Sequence, residues 1–124
     1  MMGSETNSFG FSQELRLLSA KQFSFVFADA NRIGNKAFTV LFRKNGQTHP
    51  RLGLAIAKKQ VKLATGRNLI KRKIRESFRL NQHRLPAVDF VFMVRRDINH
   101  MDAKAIDDAL AHVWRKTRKL CENY

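Results

Sequence analysis

The chain has 124 residues, enough for one domain that buries roughly two thirds of its unfolded surface. An apolar fraction of 44% excludes a disordered basic tail, while a net charge of +14 and a pI of about 11.0 go far beyond what solubility requires. A single cysteine, Cys121, excludes an internal disulfide and fits a reducing cytoplasm, and no apolar run reaches the roughly 18 residues needed to span a bilayer.

In chain order, residues 1–13 are polar and lack a basic-then-apolar signal pattern; they are expected to form a flexible leader, followed by a single domain over 14–124. Ser19 is placed as a helix N-cap, and Phe23, Val26, Phe27 and Ala30 follow at helical spacing. The cluster Asn31-Arg32-Ile33-Gly34-Asn35 reads as a turn. Residues 37–44 read as a strand, in which Phe38, Val40 and Phe42 alternate with Thr39, Leu41 and Arg43. Asn45-Gly46 opens a polar loop through Pro50. A second strand spans 51–57, with Leu52, Leu54 and Ile56 on a core face and Gly53, Ala55 and Ala57 on a face of small residues. That small face admits the close approach of either a packed helix or a ligand.

A helix is expected over about 66–85, stopped by Pro86. Its buried stripe is Ile70, Ile74 and Phe78, and a parallel stripe holds Arg67, Lys71, Arg75 and Arg79. Residues 89–94 are apolar almost throughout and read as a central strand. The last helix runs over about 102–121 with Trp114 in its apolar face and Cys121 buried near its end. Its acids come early and its bases late, as the helix dipole favours. The order α-β-β-α-β-α, without repeats or a second domain, makes a small single-domain α+β sandwich.

Charge is distributed unevenly along this chain. Between Asp29 and Glu76 there is no acidic residue, and those 46 residues hold 13 lysines and arginines. Such density repels itself unless a polyanion supplies the opposite sign, and nucleic acid is the polyanion that fits. Bases one helical turn apart lie about 6 Å from each other, close to the spacing of successive phosphates. Phe23 and Phe27, also one turn apart, are either plain core residues or a platform on which unpaired bases stack. The ten acids are scattered, and His49, His83, His100 and His112 fall on loops and helix surfaces. Neither a two-metal carboxylate cluster nor a paired-histidine, nucleophile, P-loop or zinc spacing is present. The polypeptide alone is expected to be non-catalytic, without a metal site or a small-molecule substrate.

The run Lys58-Lys59, then Ala64-Thr65-Gly66-Arg67-Asn68-Leu69-Ile70-Lys71-Arg72-Lys73-Ile74-Arg75-Glu76-Ser77-Phe78-Arg79, closely resembles the signature of the bacterial ribonuclease P protein subunit, in its proteobacterial form. Segments 14–27, 50–59 and 85–90 resemble it too, so the likeness covers roughly residues 14–120. The resemblance implies a fold like the second domain of ribosomal protein S5, with a left-handed β-α-β crossover against the usual right-handed rule. It also implies an accessory role beside a catalytic RNA, which uses Mg2+ to remove the 5′ leader of precursor tRNA. By the family motif, Lys58, Lys59, Arg67, Asn68, Lys71, Arg72 and Arg75 face the catalytic RNA; Arg79 continues their stripe. Phe23, Phe27, Leu41, Ala55 and Ala57 match the cleft that holds the single-stranded leader.

Two departures stand out. Many members have Arg-Asn-Arg where this chain has Arg67-Asn68-Leu69, which removes one cation, with Lys73 the neighbouring base to replace part of it. Leu41 stands where some members carry a tyrosine, which puts a third stacking contact in doubt. The competing expectations are a generic RNA-binding or ribosomal protein without a leader cleft, and a protein-only nuclease.

Overall fold

The computed structural model describes Arg16 and residues 19–122, so the expected leader lies outside the described residues. Helix α1 (Ala20–Ala28) is followed by strands β1 (Asn31–Gly34), β2 (Phe38–Lys44) and β3 (Arg51–Leu54). Helix α2 (Ala64–Asn81) then leads through a short 3-10 turn to strand β4 (Val88–Val94), and helix α3 (Ala103–Leu120) ends the described chain. The four strands form one sheet in the order β1-β2-β4-β3, with β3 and β4 parallel and the other pairs antiparallel. Helix α2 is the crossover between the two parallel strands. The architecture is the expected α+β one, with a fourth strand: the order is α-β-β-β-α-β-α rather than α-β-β-α-β-α.

The extra strand is β1, in the segment whose composition predicts a turn. Asn31, Arg32, Ile33 and Gly34 pair one for one with Phe42, Leu41, Val40 and Thr39. β1 lies at the sheet edge, so one rim stays in water and polar residues are tolerated there. Only Ile33 is buried, which leaves no alternation for a sequence pattern to reveal. The turn comes later: Asn35 Oδ1 accepts from the backbone N–H groups of Ala37 and Phe38 (3.0 and 2.9 Å), while its Nδ2 donates to the Ala109 carbonyl at 3.0 Å. β3 is also shorter than expected. Ala55 N still donates to the Phe92 carbonyl at 2.9 Å, after which the Ala57 carbonyl accepts from Gln60 and Val61 and the chain turns away.

Alternation along β2 and β4 sorts the sheet into two faces. Phe38, Val40, Phe42, Phe90 and Phe92 point to α2 and α3, where they meet Ile70, Ile74, Phe78, Leu110, Val113 and Trp114. Ring centroids in this cluster lie 5.3 to 6.4 Å apart in tilted and edge-on pairs, a geometry worth about 0.5–1.5 kcal/mol per pair beyond area burial. Trp114 Nε1 donates to Ser77 Oγ at 2.8 Å, so the buried indole leaves no polar atom unsatisfied. Cys121 is buried, as expected from its helical position.

The opposite face carries three rows that cross the sheet by register. Arg43, Asp89 and Arg51 form one row, Leu41, Val91 and Gly53 the next, and Thr39 with Met93 the last. Helix α1 covers the middle row: Val26 and Val91 are fully buried together, with Phe23, Ala30, Leu41 and Ala55 packed around them. Its start is set by a capping box, in which Ser19 and Gln22 exchange side chain-to-backbone hydrogen bonds of 3.1 and 3.2 Å, worth about 1 kcal/mol. At its other end Arg43 holds it down. Nη1 donates to the Phe25 carbonyl at 2.7 Å, and the guanidinium carbon sits 3.9 Å above the Phe25 ring.

Asp89 is fully buried and neutralised in place. Arg51 Nε and Nη2 donate to its two oxygens at 2.7 Å each, and Asn45 Nδ2 donates to Oδ1 at 2.9 Å. This triad fastens β3 and the loop after β2 to β4, a strand paired on both sides.

Candidate nucleic-acid interface

Because α1 stops short of the third row, the sheet beyond it stays open. Thr39, Ala55, Ala57 and Met93 floor a groove of about 430 Å³, and Gln60, Arg95 and Arg96 form its wall. The face of small residues on and after β3 divides in two: Gly53 is buried beside Val91, and Ala55 and Ala57 border open space. A second cavity of about 620 Å³ adjoins the first and shares Gln60 and Arg96 with it. Its other walls include Lys59, Lys62, Gly66 and Asn99. Asn99 Nδ2 donates to the Gln60 carbonyl at 2.8 Å and so ties the turn after β4 to the connection before α2. Gly66 is pressed close: a Cβ there would lie 3.1 Å from Val61 Cγ1.

Among the leader-cleft residues named from sequence, Ala55 and Ala57 line this groove. Phe23 and Leu41 pack around Val26 and Val91 where α1 meets the sheet, and Phe27 is 51% exposed; none of these three lines the groove. The groove also recruits Gln60, Arg95 and Arg96, to which the sequence alone assigns no role. One signal for Arg95 was available: it follows Met93 by two positions and so shares its face.

Helix α2 begins at Ala64, two residues earlier than expected, and no side chain caps it. The Arg67 N–H therefore already bonds to the Leu63 carbonyl at 3.0 Å, and the free N–H groups at the helix start belong to residues 64–66. Ile70, Ile74 and Phe78 are buried as the spacing requires. The cations beside them have three different fates. Arg67 Nη1 donates to the carbonyls of Val61 and Lys62 at 2.8 Å each, clamping the entry loop. Arg79 pairs with Glu76, and its Nε is buried without a partner among the described residues. Lys73 turns to the opposite flank, 2.9 Å from Asp107 of α3, which removes it as a substitute for the cation missing at Leu69. Leu69 itself is largely exposed. Lys58, Lys59, Asn68, Arg72 and Arg75 are exposed and Lys71 is half-exposed, and no protein carboxylate pairs with them among the described residues. Around α2, those side chains are open to an external anion.

Among the described residues, no group of three or more His, Cys, Asp or Glu side chains is placed to hold a metal ion, and no helix is long and apolar enough to cross a membrane. A sheet-face groove that runs into a crest of unpaired cations defines a basic, RNA-facing α+β protein. The Ribonuclease P family model matches residues 11–118. Over 110 residues the chain is 50% identical to the ribonuclease P protein component of Photorhabdus laumondii and 48% identical to that of Escherichia coli O157:H7, in each case covering 89% of this chain and 92% of the relative. The solved RNase P protein of Thermotoga maritima superposes with a TM-score of 0.72 at 32% identity, over 82% of this chain and 96% of the other. The chain belongs to the ribonuclease P protein family. Its role is that of a protein subunit of this endoribonuclease in tRNA 5′-end processing.

Proposed function

We propose that this subunit holds two RNAs side by side, the catalytic RNA along α2 and the single-stranded 5′ leader of precursor tRNA in the sheet-face groove. Lys58, Lys59, Asn68, Lys71, Arg72 and Arg75 bind the phosphates of the catalytic RNA. Arg67 and Arg79 contribute from partly committed positions. The leader lies over Ala55 and Ala57, with Phe27 as its stacking surface, Phe23 and Leu41 seating α1 on the sheet, and Arg95 and Arg96 neutralising its backbone.

The observation that carries this reading is continuity. Gln60 and Arg96 border both cavities, so the groove opens directly into the loop from which the α2 cations rise. Base stacking supplies sequence-tolerant affinity of about 1–3 kcal/mol per base, and phosphate neutralisation supplies the salt-dependent remainder. A cleavage site between the two RNAs would be brought to the catalytic RNA by positioning, without a reacting group from the protein.

Magnesium belongs to this scheme as a cofactor of the RNA. The described residues offer it only scattered acids, and the surfaces assigned to RNA are cationic; they do not fit a protein-held Mg2+ site.

The test adds purified protein to a bacterial ribonuclease P RNA with precursor tRNA at low magnesium. Faster cleavage is expected, from charge neutralisation and leader capture. An unchanged rate would overturn the proposal, and cleavage by the protein without RNA, after contaminants are excluded, would replace it with a protein-only nuclease.

A further inference from the structure

Helices α2 and α3 enclose a groove of about 260 Å³ that neither RNA surface above uses. Its floor is the Ser77–Trp114 hydrogen bond, and Arg84, Arg115 and Arg118 stand around it. We propose that this groove is a further phosphate site, which takes the backbone of folded RNA on the flank of α2 opposite its main cation stripe. It rests on the ribonucleoprotein reading above.

Lys73 contacts Asp107 and Ser77 contacts Trp114, so the two helices advance in the same direction and bring their C-terminal ends together. Two helix C-termini present about one negative charge between them, which a single arginine offsets. Three arginines are present. The carboxylate at the far end of the groove, Asp107, is neutralised by Lys73 at 2.9 Å, and Asp108 pairs with Lys104. No carboxylate lies within ion-pairing distance of Arg84, Arg115 or Arg118 among the described residues. Roughly two positive charges therefore remain in a concave site without a counterion from the described residues.

Trp114 is the aromatic residue at this site, and it is 2% exposed with its N–H already bonded. A base has no ring to stack on, so a single strand would bind poorly, whereas a phosphodiester backbone needs only the arginines. Backbone recognition without base reading is the mode of folded, A-form RNA. The site is separate from the main stripe, because Ser77 and Arg75 are two positions apart, about 160° around the helix axis. RNA would then border α2 on both flanks.

The experiment measures binding of the full chain to ribonuclease P RNA across a salt series. The variant R84Q/R115Q/R118Q is expected to lower the slope of log affinity against log salt by about two to three, since each lost phosphate contact removes about 0.9. Between about 50 and 200 mM salt its affinity should fall some 40-fold less steeply than that of the parent. The corresponding lysine variant should keep most of the slope. If the triple variant melts below the assay temperature, single Arg84→Gln and Arg115→Gln should each lower the slope by about 0.9. A slope equal to the parent's overturns the proposal. R72A/R75A, measured alongside, separates the levels: loss there with none in the groove variant removes the groove alone, and loss in neither removes the ribonucleoprotein reading with it.

Discussion

Replacing Phe27 by alanine separates a stacking role from a packing role, because this ring is half outside the protein. Its neighbour Val26 is fully buried against Val91 and carries the attachment of α1, whereas Phe27 is 51% exposed. Complete burial of a phenylalanine is worth about 1.5–3 kcal/mol, so losing a half-exposed ring costs about 1 kcal/mol of stability. In a domain of this size that lowers Tm by about 4 °C. Loss of a base stacked on the ring costs about 1–3 kcal/mol of leader binding, equivalent to about 5- to 150-fold in affinity. The assay is the ratio of dissociation constants for precursor and mature tRNA with the reconstituted holoenzyme. The ratio should collapse towards one while affinity for the catalytic RNA changes little, and Phe27→Tyr should preserve it. A precursor preference within twofold of the parent, in a variant that melts cooperatively, would refute the stacking role.

Arg72→Ala should weaken catalytic-RNA binding and reduce its salt slope by about one, with no change in Tm, as titrations and melting curves would register. Arg67→Ala should lower Tm as well, because its Nη1 also clamps the carbonyls of Val61 and Lys62. Asp89→Ala leaves Arg51 and Asn45 facing a buried void and should cost about 3–5 kcal/mol in denaturant unfolding. A loss below about 1 kcal/mol would show that the triad does not fasten β3 to β4. Phosphate should raise Tm by binding the folded state, beyond what chloride does at matched ionic strength; equal effects would reduce the gain to screening.

Features that repeat along one element were legible in the sequence, and features created by contact between elements were not. The α2 period places Ile70, Ile74 and Phe78 in the core, and the uninterrupted apolar run of β4 marks a central strand; both are properties of single segments. β1 escaped because an edge strand with one buried residue has no period. The cation stripe was visible as spacing, yet its division into clamped Arg67, paired Arg79 and unpaired Arg72 and Arg75 depends on where loops and neighbours fall. The diversion of Lys73 to Asp107, 34 positions later, is a fact of helix packing. Arg95 and Arg96 joined the groove for the same reason: the turn after β4 and the connection before α2 meet only in the folded chain.

The central claim is that two surfaces hold two different RNAs, and site-directed crosslinking tests it most directly. Cys121 is the one native cysteine and is buried, so a thiol-specific photocrosslinker can be confined to Ala57→Cys or Asn68→Cys. In the holoenzyme with bound precursor tRNA, the probe at position 57 should capture the leader, and the probe at position 68 should capture the catalytic RNA. Capture of the same RNA from both positions would contradict the account.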